Sequence, residues 1–173
     1  MHPTQNQVSP ATPLMVADTL RRAALYLIRH GWSQHRHYDN SAAPVILRTP
    51  DTFPTADVVG ALVLAVTGQT RQPADLLRGW DSATVREFND AIVYLASWLG
   101  LLTDCDAVTD FRISVDALTL LWTWNDFRWQ DQAHVIDGLL CAAADADGTV
   151  YIPDMHRPYA ADFAALGLAA GAR

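Results

Sequence analysis

Apolar residues recur at spacings of three and four through most of the chain, and that period predicts a mainly α-helical fold. Val16, Leu20, Ala23, Ala24, Leu27 and Ile28 form the first such face, and Gly31 is placed to stop the helix. A second helix is predicted from about Thr55 to Thr67, closed by Gly68. It is apolar nearly all round, which assigns it a central position, and Gly60-Ala61 in its middle would let another helix approach closely. A short helical turn is expected around Pro73 to Arg78. Thr84 and Glu87 then have the capping-box spacing, ahead of Val85, Phe88, Ile92, Leu95 and Leu99 on one face and Gly100 at the end. Ser114 can cap a fourth helix carrying Leu118, Leu121 and Trp122, and the pattern breaks near Trp124-Asn125-Asp126. Asp131 caps a fifth, with Val135, Ile136, Leu139, Leu140 and Ala143 facing inward.

The remaining stretches carry no helical period. Residues 1–13 contain three prolines and read as a disordered or loosely packed arm. From Trp32 to Pro54 runs a long irregular loop in which Val45-Ile46-Leu47 could be one short strand; a loop of this length is often functional or flexible. Gly148 to Pro153 reads as extended, and residues 153–173 as a C-terminal tail with a weak last helix. The expectation is a single-domain bundle of about five helices over residues 14–152, with room for one short β-hairpin and no internal repeat.

Four short signatures occur in order: Gly31-Trp32-Ser33-Gln34, Asp57-Val58-Val59-Gly60-Ala61-Leu62, Trp124-Asn125-Asp126, and Asp131 leading to Val135. Together, over roughly residues 18–144, they resemble an uncharacterised family of small helical proteins common in actinobacteria and their mobile elements. Its pattern is Gly-Trp-x-Gln, Cys-x-x-Gly-Ala-Leu, Trp-Asn-Asp and then a capped helix. The chain departs from it at Asp57, where the family usually has cysteine, so any chemistry resting on that cysteine would be lost or altered here. The resemblance supports the fold and implies no activity.

Composition narrows the chemistry. The chain has 173 residues, 50% hydrophobic and 18% charged, with a formal net charge of -7. All 12 basic residues are arginine, and Glu87 is the single glutamate among 19 acids. Without lysine there is no Walker-type phosphate loop, no kinase strand lysine and no Schiff-base amine. Charge is uneven: residues 1–87 hold eight arginines against seven acids, and residues 88–173 hold four against twelve. A nucleic-acid binder would need a basic stripe from Arg21, Arg22, Arg29 and Arg36, which read more simply as a solvated helix face. The longest apolar run, Val58 to Val66, is about half of a membrane span, and the opening residues lack the pattern of a signal peptide. The expected compartment is the cytoplasm. Cys105 and Cys141 are read as free thiols.

Candidate chemistry concentrates in two places. In His35-Arg36-His37-Tyr38-Asp39, an extended segment would put His35, His37 and Asp39 on one face, where two imidazoles and a carboxylate could ligate a metal. His134 and Cys141 are seven residues apart, too far along one helix for direct proton transfer. Asp145-Ala146-Asp147-Gly148 starts like a calcium loop but lacks the bidentate glutamate. The second place is aromatic: Trp122, Trp124 and Trp129 cluster around Asn125 and Asp126, with Trp32 and Gln34 in the related signature. Tryptophans are enriched at binding hot spots, so Trp124, Asn125, Asp126, Trp129, Trp32 and Gln34 are the expected binding surface. The first reading is thus a non-enzymatic protein-interaction or regulatory module with an unidentified protein partner, a second copy included, and no cofactor. The alternatives are a small metal-dependent hydrolase using His35, His37 and Asp39, and a DNA-binding regulator using the first-helix arginines.

Overall fold

The first apolar face becomes α1 (Pro13–His30), against which α2, α3 and α5 pack. The structure is a computed structural model and describes residues 12–39, 53–73, 81–102 and 114–152. The expected arm before Thr12, the Val45–Leu47 strand, most of the Pro73 turn, Trp80, Cys105 and the tail from Pro153 lie outside the described residues. Pro13 opens α1 at a position whose N–H would have no helical partner, and Arg29 and His30 close it against the negative end of the dipole. Val16, Ala17, Leu20, Ala23, Ala24 and Leu27 are buried, while Ile28, expected inward, is about half exposed.

The loop after α1 leads to β1 (Tyr38–Asp39), which pairs antiparallel with β2 (Thr55–Ala56), Tyr38 opposite Ala56 and Asp39 opposite Thr55. Helix α2 is therefore shorter than its apolar pattern suggested. It spans Val58–Thr67, because Thr55 and Ala56 are drawn into the sheet, and Asp57 becomes its N-cap through a hydrogen bond from the Gly60 amide. Residues Val58 to Leu64 are all buried, as the apolar circumference required.

Helix α3 (Ser82–Trp98) starts earlier than the Thr84–Glu87 spacing implied. Asp81 is the cap and accepts from the Ala83 and Thr84 amides, which holds its carboxyl below the usual range. Glu87 is left to reach across to α1, where it accepts from Thr19 Oγ1 and from Arg22, each at 2.7 Å. Arg22 also pairs with Asp18 at 3.0 Å and donates to the Ala65 carbonyl, so one side chain ties together α1, α2 and α3.

Helix α4 (Val115–Asn125) is capped by Ser114, and its buried face is Ala117, Leu121, Trp124 and Asn125. This face is rotated from the expected one, and Trp122 points outward with 43% exposure. Helix α5 (Gln132–Asp147) is capped by Asp131 and packs along α1. Its last turn absorbs the Asp145-Ala146-Asp147 run. Asp147 accepts from Arg21 at 2.6 Å, and Asp145 accepts from the Tyr94 hydroxyl at 2.7 Å. The core has Leu20, Leu62, Phe88, Leu95, Leu121 and Leu139 fully buried between the five helices, each contributing about 1.5–3 kcal/mol of transfer free energy. Among the described residues, no helix is long and apolar enough to cross a membrane.

Candidate functional site

Three segments distant in sequence meet at the end of the bundle where α1 and α4 finish and α2 begins. The loop leaving Gly31 runs beside β2: Ser33 N donates to the Ala56 carbonyl at 3.0 Å, and Asp57 N to the His37 carbonyl at 3.2 Å. That places loop backbone directly on the first turn of α2. A Cβ on Gly60 would lie 2.2 Å from the His37 oxygen, so this contact requires glycine.

Asn125, the last residue of α4, is fully buried and holds the three segments together. Its Oδ1 accepts from Trp32 Nε1 at 2.7 Å and from the Val58 amide at 3.0 Å. Its Nδ2 donates to the Ser33 carbonyl at 3.1 Å and to Asp126 Oδ1 at 2.9 Å. Both donors and both acceptor positions of the amide are used. Gln34 completes the junction by donating to the carbonyl of Asn125 at the end of α4 and to that of Phe127, which also accepts the Gln130 amide.

Two histidines of the loop are each matched with a carboxylate. His35 donates from its backbone to Asp126 Oδ1 at 2.7 Å, and its Nδ1 meets Asp126 Oδ2 at 3.1 Å. His37 Nδ1 bonds Asp57 Oδ2 at 2.8 Å, while Asp57 Oδ1 takes the Gly60 amide at 2.6 Å. Asp57 is fully buried at a helix N-terminus, where the positive end of the dipole favours a carboxylate. The shared face expected of His35, His37 and Asp39 does not form, because the segment bends at His35, whose φ is 63°. Asp39 instead sits in β1 opposite Thr55. Among the described residues, no three His, Cys, Asp or Glu side chains are gathered to hold a metal ion.

The residues expected to form a binding surface separate into two layers. Trp124 and Asn125 lie beneath it: Trp124 is 1% exposed, packed toward Gly138 of α5, and its Nε1 has no hydrogen-bond partner among the described residues. Trp32 and Gln34 are half-buried members of the junction. Trp129 is on the surface, 57% exposed, with the Arg128 guanidinium 4.2 Å from its ring centre. The sequence reading set Trp122 on the inward face of α4 and considered Arg36 only for nucleic acid, and it named neither Arg128 nor the His37–Asp57 pair. Trp122 could have been placed by phasing α4 on Ala117, Leu121 and Trp124, which leaves position 122 outward. The pairing of His37 with Asp57 has no local signal.

Two shallow clefts adjoin at Trp122. One, of about 460 Å³, is walled by Trp122, Phe127, Arg128 and Asp126. The other, of about 430 Å³, is walled by His35, Arg36, His37, Gln72 and the opposite side of Trp122, whose ring lies 5.5 Å from that of His37. Of the arginines considered for DNA, Arg21 is paired with Asp147, and Arg22 with Asp18 and Glu87. Cys141 is a free thiol on α5, and burial raises its pKa.

A family model described as a family of unknown function, DUF6197, matches residues 11–146, a range that contains α1 to α4, all of α5 but its last residue, and every residue of the junction. No curated protein and no solved structure matches the chain.

Proposed function

Since the chain belongs to this family of unknown function, its role has to come from the site itself, and we propose a non-enzymatic protein-interaction module. The contact surface of this reading is the aromatic and arginine patch formed by Trp122, Phe127, Arg128 and Trp129 beside His35 and Arg36. The observation that carries it is the division of labour at the junction. Asn125, Trp32 and Gln34 spend their hydrogen bonds on fixing the junction, and two tryptophans of the same end, Trp122 and Trp129, are left 43% and 57% exposed. Large exposed aromatics on a rigid support are the usual material of binding hot spots, since little side-chain entropy is lost on contact.

The test is a selection from a random twelve-residue peptide library displayed against the full chain, repeated with Trp122→Ala and Trp129→Ala. Peptides enriched on the wild type should bind either variant roughly 30-fold more weakly, the factor that corresponds to a hot spot of about 2 kcal/mol. Unchanged circular dichroism would show both variants folded. Equal binding to all three proteins would remove the surface assignment.

A second reading has one observation in its favour. His37 is oriented by a buried carboxylate and also walls an open cleft, the arrangement of a general base. Turnover of an ester or amide substrate panel that disappears in both His37→Ala and Asp57→Asn would establish it; no turnover by the wild type would end it.

A further inference from the structure

We propose that the partner presents an acidic segment carrying one apolar side chain, an inference that rests on the interaction reading and names its ligand. Among the described residues, the two clefts at Trp122 are walled by two arginines, Arg36 and Arg128, and one carboxylate, Asp126, with His35 matched to Asp126 and His37 to the buried Asp57. Asp126 is already engaged on both oxygens, by His35 and Asn125. Arg128 lies over Trp129 and Arg36 is exposed at the opposite rim, so an arginine stands on each side of the aromatic ridge. The chain as a whole has a formal charge of -7, and residues 88–173 alone hold twelve acids against four arginines. Arg36 and Arg128 are therefore the cations that an acidic segment would meet at these clefts, on a chain whose net charge is otherwise unfavourable to it.

The shape of the clefts agrees with the charge. The cleft between Trp122 and Phe127 is mainly apolar and has room for one aromatic or branched aliphatic side chain, and the neighbouring cleft with Arg36 and Gln72 is about half polar. A peptide lying across Trp122 would seat its apolar residue in the first and its carboxylates against Arg36 and Arg128. Arg–carboxylate pairs are directional and can be bidentate, so they set register as well as attraction. A nucleic acid fits less well. It needs a run of cations along its phosphates, whereas Arg21 and Arg22 are already neutralised by Asp147, Asp18 and Glu87.

The experiment uses peptides enriched on the full chain from the same library, together with a twelve-nucleotide oligothymidine. Each peptide is resynthesised with its Asp and Glu changed to Asn and Gln, and binding is read by fluorescence anisotropy at low and high salt. The expected result is enrichment of Asp and Glu around one Phe, Trp, Leu or Ile. Affinity should fall at least tenfold for the neutralised peptides, and equally for the Arg36→Gln and Arg128→Gln double variant. Peptides that are neutral or basic, yet depend on Trp129, would overturn the acidic ligand and leave the interaction reading standing. Absence of any tryptophan-dependent peptide would overturn both. Tighter binding of the oligonucleotide than of any peptide would assign the patch to nucleic acid instead. Self-association of the chain that the double arginine variant abolishes would assign it to a second copy.

Discussion

Replacing Asn125 with alanine should be among the most damaging single changes at the end of the bundle, far beyond what its small size suggests. The substitution deletes one acceptor shared by Trp32 Nε1 and the Val58 amide, and one donor group shared by Ser33 and Asp126. The Val58 amide and the Ser33 carbonyl are buried at these contacts, so water cannot replace the lost partner. Each buried orphan costs about 1–3 kcal/mol. Trp32 and Asp126 are partly exposed and regain water at smaller cost, and the vacated amide leaves a small void. The sum is about 3–6 kcal/mol, a large share of the roughly 5–15 kcal/mol that holds a domain together. With a urea slope of about 2 kcal/mol/M, the unfolding midpoint should drop by about 1.5–3 M, followed by tryptophan fluorescence. Asn125→Asp is the companion experiment. It keeps the acceptor for Trp32 and Val58 but replaces the Nδ2 donor with an oxygen that faces two other oxygens, those of Ser33 and Asp126. A carboxyl buried beside Asp126 is held above its ordinary pKa, so the variant should be most unstable at neutral pH and recover as acid protonates the new group. A loss below 1 kcal/mol for Asn125→Ala at unchanged slope would refute the account of Asn125 as the junction.

Further outcomes follow from single contacts. Gly60→Ala should cost about 3 kcal/mol, because its Cβ would meet the His37 carbonyl at 2.2 Å. Gly138→Ala should stabilise by about 0.5–1 kcal/mol, since its Cβ would stand 3.4 Å from the Trp124 ring and alanine is the better helix former; opposite shifts in melting temperature check the pair. The Asp147 carboxyl, held well below its ordinary range chiefly by the hydrogen bond from Arg21, should titrate closer to that range in Arg21→Met when followed by NMR. Its folded pKa is depressed, so its contribution to stability is complete above the ordinary aspartate value of about 3.9 and is lost as pH falls through the folded one. Cys141, whose thiol is pushed up by burial, should alkylate more slowly at neutral pH than an unfolded cysteine and catch up in urea, as peptide-resolved mass spectrometry would read.

Periodicity was sufficient for the helices and insufficient for their ends. The caps at Ser114 and Asp131, and the stops at Gly31 and Gly68, depend on the few residues around them, and those are legible in one dimension. The start of α2 is set elsewhere: Thr55 and Ala56 could continue a helical pattern, but pairing with Tyr38 and Asp39 takes them into a sheet. Around Trp124 the apolar residues are dense enough to fit more than one helical phase, and burial on α5 decides for Trp124 over Trp122. The signatures around Trp32, Gly60 and Asn125 were each visible as strings. Their meeting point was not, because an asparagine that satisfies four partners looks the same in sequence as one that caps a turn. The same holds for Asp57, whose two oxygens serve a local cap and a histidine twenty residues away.

Asn125 also constrains the order in which the molecule can be built. Its partners Trp32, Val58 and Ser33 precede it by 93, 67 and 92 residues, so all its side-chain bonds but the one to Asp126 close a long stretch of chain. Such contacts bring no return until the entropy of closure has been met by other packing, and they belong to the late side of the folding barrier. A nascent chain emerging from the ribosome can complete α1 and α2 well before α4 exists. The loop with His35 and His37 must then wait, with Trp32 Nε1 and the Val58 amide in water, until residue 125 arrives. The end of the bundle that displays Trp122 and Trp129 therefore cannot set before α4 is made. Chains stopped short of α4 should lack this surface even where their first helices are formed.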